Sequence, residues 1–291
     1  MSGLELLDSR EVMLGSTPVA RLLPKRQHRT VGPWCFADHF GPVDVGVGAM
    51  AVGPHPHIGL QTVTWLFAGE VVHTDSLGSE QVIRPGQLNL MSAGRGIAHA
   101  EQSPAASVGL MHGLQLWVAQ PDATRWSDPA FEHHAELPVV DLSGAAVTVL
   151  VGSLAGETSA ARTDWPMVGL DLVVGTSVEV PLEPSFEHAV LVMSGAPSID
   201  GTTVSVGTTA YLAPGSTSAR IDGSARVVVI GGEPFEAPIA MSWNFVARTR
   251  DELDDAHRDW AGVIAHGGSQ RFGDVRSELG VVPAPGYPTG G

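Results

Sequence analysis

Two short couples of metal-binding side chains carry the chemistry in this sequence. His55-Pro56-His57 sets two imidazoles at positions i and i+2, and His99-Ala100-Glu101 sets an imidazole and a carboxylate at the same spacing. Successive strand side chains point to opposite faces, so on extended backbone both members of each couple project to one side. If two such strands face one another, three neutral nitrogens and one carboxylate oxygen can meet on one divalent ion at about 2.0–2.2 Å. Four protein donors around an octahedral ion leave two positions for exogenous ligands, whereas a structural zinc site is closed and usually rich in thiolates. The set therefore reads as catalytic or sensory. Nitrogen and oxygen donors suit Fe, Cu, Ni, Mn or Zn, so donor type alone does not choose the metal.

The elements that must position these residues read as short strands. Pro54 and Pro56 remove two backbone donors, which restricts the first couple to a strand entrance or a sheet edge. The second couple follows the turn Gly94-Arg95-Gly96, which delivers a new strand. Between them lie β runs at about 62–67, 70–73, 81–83 and 88–91, and another follows at 114–118. Breaks at Gly69, Gly78 and Pro85-Gly86 complete the rhythm of an all-β sandwich or barrel. A loop-like stretch covers 120–138, and strands resume at 147–151 and 170–174. Residues 178–232 then repeat the grammar of the first half. Gly195 falls on Gly69 and Gly207 on Gly86 at offsets of 126 and 121, the mark of an internal duplication and a second barrel. The same offsets lay Pro181 and Glu183 on the first histidine couple, and Arg220 and Asp222 on the second. That set has no imidazole and one permanent cation, so the second barrel is expected to hold no metal. One helix is expected, opening at Thr249 with Glu252 as a capping box and running to about Ala265 before Gly267-Gly268. The proline- and glycine-rich stretch 281–291 reads as a flexible or surface-wrapping tail.

Composition bounds the partners. In 291 residues, 16 basic side chains stand against 31 acidic ones, and the formal net charge of −15 repels nucleic-acid backbones and anionic lipid surfaces. A single cysteine, Cys35, cannot form an internal disulfide, and its apolar neighbours Trp34 and Phe36 mark it as a small buried hydrophobe. No run of about 18 apolar residues occurs and no secretory signal opens the chain, so the cytoplasm is the expected compartment. His39, His73 and His112 read as satisfied polar residues and His133-His134 as a solvated loop pair. Gln115 alternates with Leu114 and Leu116 and is a candidate to support the donors from behind.

Longer segments carry a family resemblance. The run 54–65 (Pro-His-Pro-His-Ile-Gly-Leu-Gln-Thr-Val-Thr-Trp), the run His73-Thr74-Asp75-Ser76-Leu77-Gly78 and the run 91–101 (Met-Ser-Ala-Gly-Arg-Gly-Ile-Ala-His-Ala-Glu) resemble the pirins of the cupin superfamily. The likeness extends upstream to Arg29–Trp34 and Asp38–Pro42 and downstream to Gly113–Val118, Gly231–Pro234 and Asn244–Val246. It implies a bicupin, two tandem double-stranded β-helix, jelly-roll-like barrels with a C-terminal helix. Residues 1–140 would form the metal-binding barrel, 141–240 a barrel without ligands, and 241–291 the helix and tail. The general cupin pattern often has a glutamate ligand four residues after the second histidine. This chain has Gln61 there, and its carboxylate stands at Glu101 as in pirins. The resemblance implies a mononuclear metal, foremost Fe(2+), on His55, His57, His99 and Glu101. It further implies a quercetin 2,3-dioxygenase-like oxidoreductase that cleaves a flavonol with O2 and releases carbon monoxide, with Glu101 as general base. The alternative it implies is a non-enzymatic regulator whose metal state is read by a protein partner.

Overall fold

The computed structural model describes residues 4–14, 17–45, 50–104 and 106–286. In chain order the first strands are β1 (Leu4–Asp8), β2 (Arg10–Leu14), β3 (Thr17–Leu23), β4 (Trp34–Val45), β5 (Ala51–His57) and β6 (Leu60–Ala68). They are followed by β7 (Val71–Asp75), β8 (Glu80–Ile83), β9 (Leu88–Ser92), β10 (Ile97–Gln102), β11 (Gly109–Ala119) and β12 (Ala130–His134). An antiparallel seven-stranded sheet, in the order β12-β9-β6-β11-β4-β3-β2, and a four-stranded sheet, in the order β5-β10-β7-β8, make the first barrel. β9 is buried on both faces along its whole length, Asn89 and Ser92 included, whereas β7 alternates between buried and half-buried positions.

The second barrel repeats this plan strand for strand. Its large sheet runs Leu4–Asp8, Thr208–Leu212, Glu187–Gly195, Ala225–Gly232, Met167–Val174, Ala145–Val151 and Val139–Leu142. Its small sheet runs Ser177–Pro181, Ser218–Asp222, Ser198–Ile199 and Thr202–Thr203. The turn glycines keep their conformation in both copies: Gly69 and Gly195 have φ of +88° and +82°, and Gly86 and Gly207 have +84° and +86°. The N-terminus departs from a division near residue 140. β1 extends the second barrel's sheet beside Thr208–Leu212, in the position that β12 takes beside β9 in the first barrel.

The expected counterparts of the metal donors need correction. Offset arithmetic placed Arg220 and Asp222 on His99 and Glu101, but these two form an ion pair at the surface, 59% and 38% exposed. The strand is shifted by one residue relative to the arithmetic, and a one-residue shift exchanges the two faces of a strand. Its inward positions are aliphatic: Val178, Val180, Ala219 and Ile221 fill that barrel. The stretch 120–138 also differs from the loop expected there. Ala130–His134 pairs with β9, His133 Nδ1 lies 2.7 Å from Asn89 Oδ1, and His134 pairs with Glu132.

The two large sheets pack back to back through Trp34, Trp65, Leu90, Leu116, Leu191 and Val228, among others. Polar links cross the same interface: Trp65 Nε1 donates to Asp171 at 3.0 Å, and Arg226 makes a two-pronged contact with that carboxylate. Cys35 is buried as expected, and burial pushes its thiol up to about 12.

The C-terminal segment belongs to the first barrel. A hairpin, Ala240–Ser242 with Phe245–Ala247, leads into helix α1 (Arg250–His266). Thr249 caps the helix by accepting from the Glu252 amide, while the Glu252 carboxylate accepts from the Arg248 amide at 2.9 Å. Trp260, Phe245 and Phe272 are buried against Ile58 and Ala98, each side chain contributing about 1.5–3 kcal/mol of apolar burial. The chain then runs along the edge strand β5, where the Val282 amide donates to the Pro54 carbonyl at 2.9 Å and Trp260 Nε1 donates to the Val282 carbonyl at 2.9 Å. The expected tail is therefore surface-wrapping as far as 286, with Val282 and Ala284 half-buried, and 287–291 lie outside the described residues. Among the described residues, no helix is long and apolar enough to cross a membrane.

Candidate metal centre

His55 and His99 stand directly opposite one another in the antiparallel pair β5–β10. The proline-bearing strand β5 sits at the sheet edge, where its missing N–H groups cost no ladder bond. A register shift between His99 and Glu101 sets Glu101 against Val52. Within their strands His55 and His57 share one face, and so do His99 and Glu101. All four side chains line one cavity of about 310 Å3 in the first barrel.

The donor atoms of His55, His57 and His99 lie within 4.8 Å of one another, and His57 Nε2 stands 3.0 Å from His99 Nε2. Glu101 falls into a second cluster of the same tightness with His99 and His73. The structure thus brings three imidazoles to one point, with the carboxylate beside His99. It also adds His73, whose residue type alone suggests a satisfied polar residue. The signal was present, because His73-Thr74-Asp75 is a third couple at i and i+2 and pairs with His99–Glu101 across β7–β10.

Backbone carbonyls orient two of the rings. His55 Nδ1 donates to the Gly53 carbonyl at 2.9 Å, and His57 Nδ1 donates to the Asn244 carbonyl at 3.0 Å. A carbonyl can only accept, so each Nε2 is left with a bare lone pair facing the cluster. Burial holds all three rings neutral, with His55 lowered to about 4 and His57 and His99 well below their ordinary value. Glu101 is pushed up by burial, an effect opposed by His73 and by the Thr64 hydroxyl. That hydroxyl lies 3.3 Å from Glu101 Oε1 and 3.0 Å from Gln115 Oε1, so Gln115 reaches Thr64, the neighbour of the carboxylate. Gln61 turns away and donates to Ser92 Oγ at 2.9 Å.

These residues fit a divalent metal. His55 and His57 turn bare, buried Nε2 lone pairs toward the same point beside His99, and a cation there gives those lone pairs a partner. Two nitrogens held at about 2.0–2.1 Å from one ion and subtending a right angle would be about 2.9 Å apart, close to the 3.0 Å between His57 and His99.

The cavity walls are aromatic. Phe36 and Trp117 stack at 4.0 Å, and Trp117 meets His57 edge-on at 5.2 Å. Trp243 and Asn244, at the tip of the C-terminal hairpin, and Val282 close another side. Trp243 adopts φ of +53°, a conformation few bulky residues take, which puts the Asn244 carbonyl on His57. Sequence reading could not find that contact, because a backbone carbonyl carries no residue type. Near the cavity Arg21 grips Asp38 through two hydrogen bonds of 2.8 and 2.7 Å.

Comparison with known families and structures agrees with this geometry. The pirin family model matches residues 16–118, and the model of the pirin C-terminal cupin domain matches 167–263. The chain belongs to the pirin family. A Pseudomonas aeruginosa pirin relative, whose name provisionally assigns it as a quercetin 2,3-dioxygenase, is 44% identical over 264 residues, covering 89% of this chain and 82% of its own. A crystal structure of quercetin 2,3-dioxygenase from Acinetobacter baumannii superposes with a TM-score of 0.93 at 42% identity, covering 99% of this chain and 96% of that one. A bacterial pirin from Escherichia coli, solved in complex with nickel(II), shares the fold at 18% identity and a TM-score of 0.62, over 80% of this chain and all of that one.

Proposed function

We propose that this pirin is a metal-dependent dioxygenase that opens the ring of a flavonol such as quercetin with O2 and releases carbon monoxide. The observation that carries the reading is the convergence of three buried imidazole nitrogens in an aromatic-walled cavity of about 310 Å3, within the size range of small-molecule sites. His55, His57 and His99 would hold the metal with Glu101 as fourth donor, and Fe(2+) is the ion proposed, with Ni, Cu, Mn and Zn as candidates for the same donors. The names of the Pseudomonas aeruginosa and Acinetobacter baumannii relatives support the substrate class.

When bound, the metal supplies Lewis-acid activation and a point at which adjacent hydroxyl and carbonyl oxygens can be oriented. The protein's own groups do the rest. Glu101, the carboxylate among the donors, takes the proton of the flavonol 3-hydroxyl as general base. The Thr64 hydroxyl stands within hydrogen-bond reach of Glu101 Oε1 and helps to place the carboxylate beside His99. The Phe36–Trp117 stack offers a flat apolar wall to a planar aromatic ligand, and the Trp243–Asn244 hairpin tip helps to keep water out.

The test is anaerobic loading with Fe(II), Mn(II), Ni(II) or Cu(II), addition of quercetin, and measurement of its absorbance and of carbon monoxide on admitting air. The expected result is turnover that His57→Ala abolishes and that Glu101→Gln lowers about 10²–10⁴-fold in kcat. Absence of turnover with every one of these metals would contradict the proposal.

A further inference from the structure

His73 and Asp75 lie outside the donor set proposed above, yet His73 stands against two of its members, His99 and Glu101. Asp75 Oδ1 accepts from the amides of Leu77 and Ser79 at 2.9 and 3.0 Å, which fixes the carboxylate in the β7–β8 turn. Its other oxygen stands 3.1 Å from His73 Nε2, and both side chains are almost wholly buried. A carboxylate oxygen only accepts, so Nε2 of His73 carries the proton and its Nδ1 is bare. That Nδ1 lies 3.3 Å from Nδ1 of His99 and can accept the His99 proton there, the tautomer in which His99 Nε2 is bare. Nε2 is the atom that faces His57 at 3.0 Å.

We propose that Asp75 and His73 are positioning residues, a hydrogen-bonded relay that fixes the ring plane and tautomer of His99 so that its Nε2 presents a lone pair to the metal. This rests on the metal-centre reading above. His99 needs the relay because it lacks what orients the other two rings: His55 and His57 each donate Nδ1 to a backbone carbonyl, and for His99 the partner at Nδ1 is another imidazole. Phe131 stacks flat on the His73 ring at 4.4 Å, 12° from parallel, which holds that ring in the plane the relay requires. Partners behind the metal ligands of this kind raise ligand basicity and cut the disorder that binding must remove.

The variants that test the relay are His73→Phe, which keeps the stack on Phe131 but removes the acceptor, and His73→Gln, whose amide oxygen can still accept from His99. Dissociation constants for Ni(II) and Cu(II) are measured by chelator competition on metal-free protein, and the nitrogen couplings in the Cu(II) electron paramagnetic resonance spectrum are counted. The relay predicts weakening by about 10–100-fold in His73→Phe and by less than about 5-fold in His73→Gln, with three coupled nitrogens in wild type and both variants. If His73→Phe melts far below wild type, His73→Leu takes its place. A folded apolar variant that binds within about 2-fold of wild type overturns the relay. A count falling from four nitrogens to three also overturns it, making His73 a ligand. Wild-type protein that takes up neither ion overturns the metal centre itself, a result distinct from the other two.

Discussion

Acid should destabilise the metal-free protein through His55, by an amount the structure sets. Burial lowers its folded pKa from 6.5 to about 4. Above 6.5 the ring is neutral in both folded and unfolded chains and its contribution is complete. Between 6.5 and about 4 the unfolded chain takes up a proton that the folded chain refuses, so stability falls as the pH drops through that window and levels off below it. The full fall amounts to about 3 kcal/mol, or roughly 6 °C in Tm for a chain of this size. Glu101 and Asp38 act in the opposite direction, because burial raises their folded values and each gains stability as the pH falls toward its unfolded value. A variant isolates the imidazole from these effects. Urea unfolding of chelator-treated wild type and His55→Gln, from neutral pH down to about 4, should show wild type losing about 3 kcal/mol more than the variant. Parallel losses would refute the assignment of His55 as a buried neutral ring.

Other perturbations reach the same site from different sides. Phe272→Ala empties a buried position between Trp260 and Phe245, and should cost about 3–5 kcal/mol and lower Tm by roughly 6–10 °C in calorimetry. Because the emptied space lets the segment that pairs with the Ala98 amide shift, next to His99, that variant should bind divalent metal more weakly by chelator competition. Thr64→Val removes the hydroxyl shared by Glu101 and Gln115 and should lower kcat for quercetin with little change in melting temperature. Adding a tightly bound divalent ion at about 100 times its Kd should raise stability by about 2.7 kcal/mol, or roughly 5 °C in a thermal melt, and the rise should vanish in His57→Ala.

The sequence exposed the donor couples because strand geometry turns i, i+2 spacing into a shared face, and it exposed the duplication because turn glycines with positive φ recur at matched places. Other features depend on contacts that residue types do not announce. β4 carries no alternation, since Trp34 to Phe40 are buried throughout, and so it left no period-two signal. The exchange of β1 into the second barrel is set by an edge that only pairing reveals. Face assignment in the second barrel failed because an offset carried over an indel cannot tell odd from even, and a single residue decides whether Arg220 points in or out. His73 was passed over for want of a partner, although Asp75 stood two residues away. The stretch 281–291 reads in sequence as a flexible or surface-wrapping tail, and the pairing of Val282 with Pro54 on the histidine-bearing strand is what shows it wrapping as far as 286.

The central claim is most directly tested by X-ray absorption spectroscopy on protein loaded with one equivalent of Fe(II) under anaerobic conditions, alongside His55→Ala and His57→Ala. One tightly held ion per chain, with three imidazole nitrogens in its shell and a coordination lost in either variant, is the predicted result. An ion that stays bound with an unchanged shell when both histidines are replaced would contradict the account.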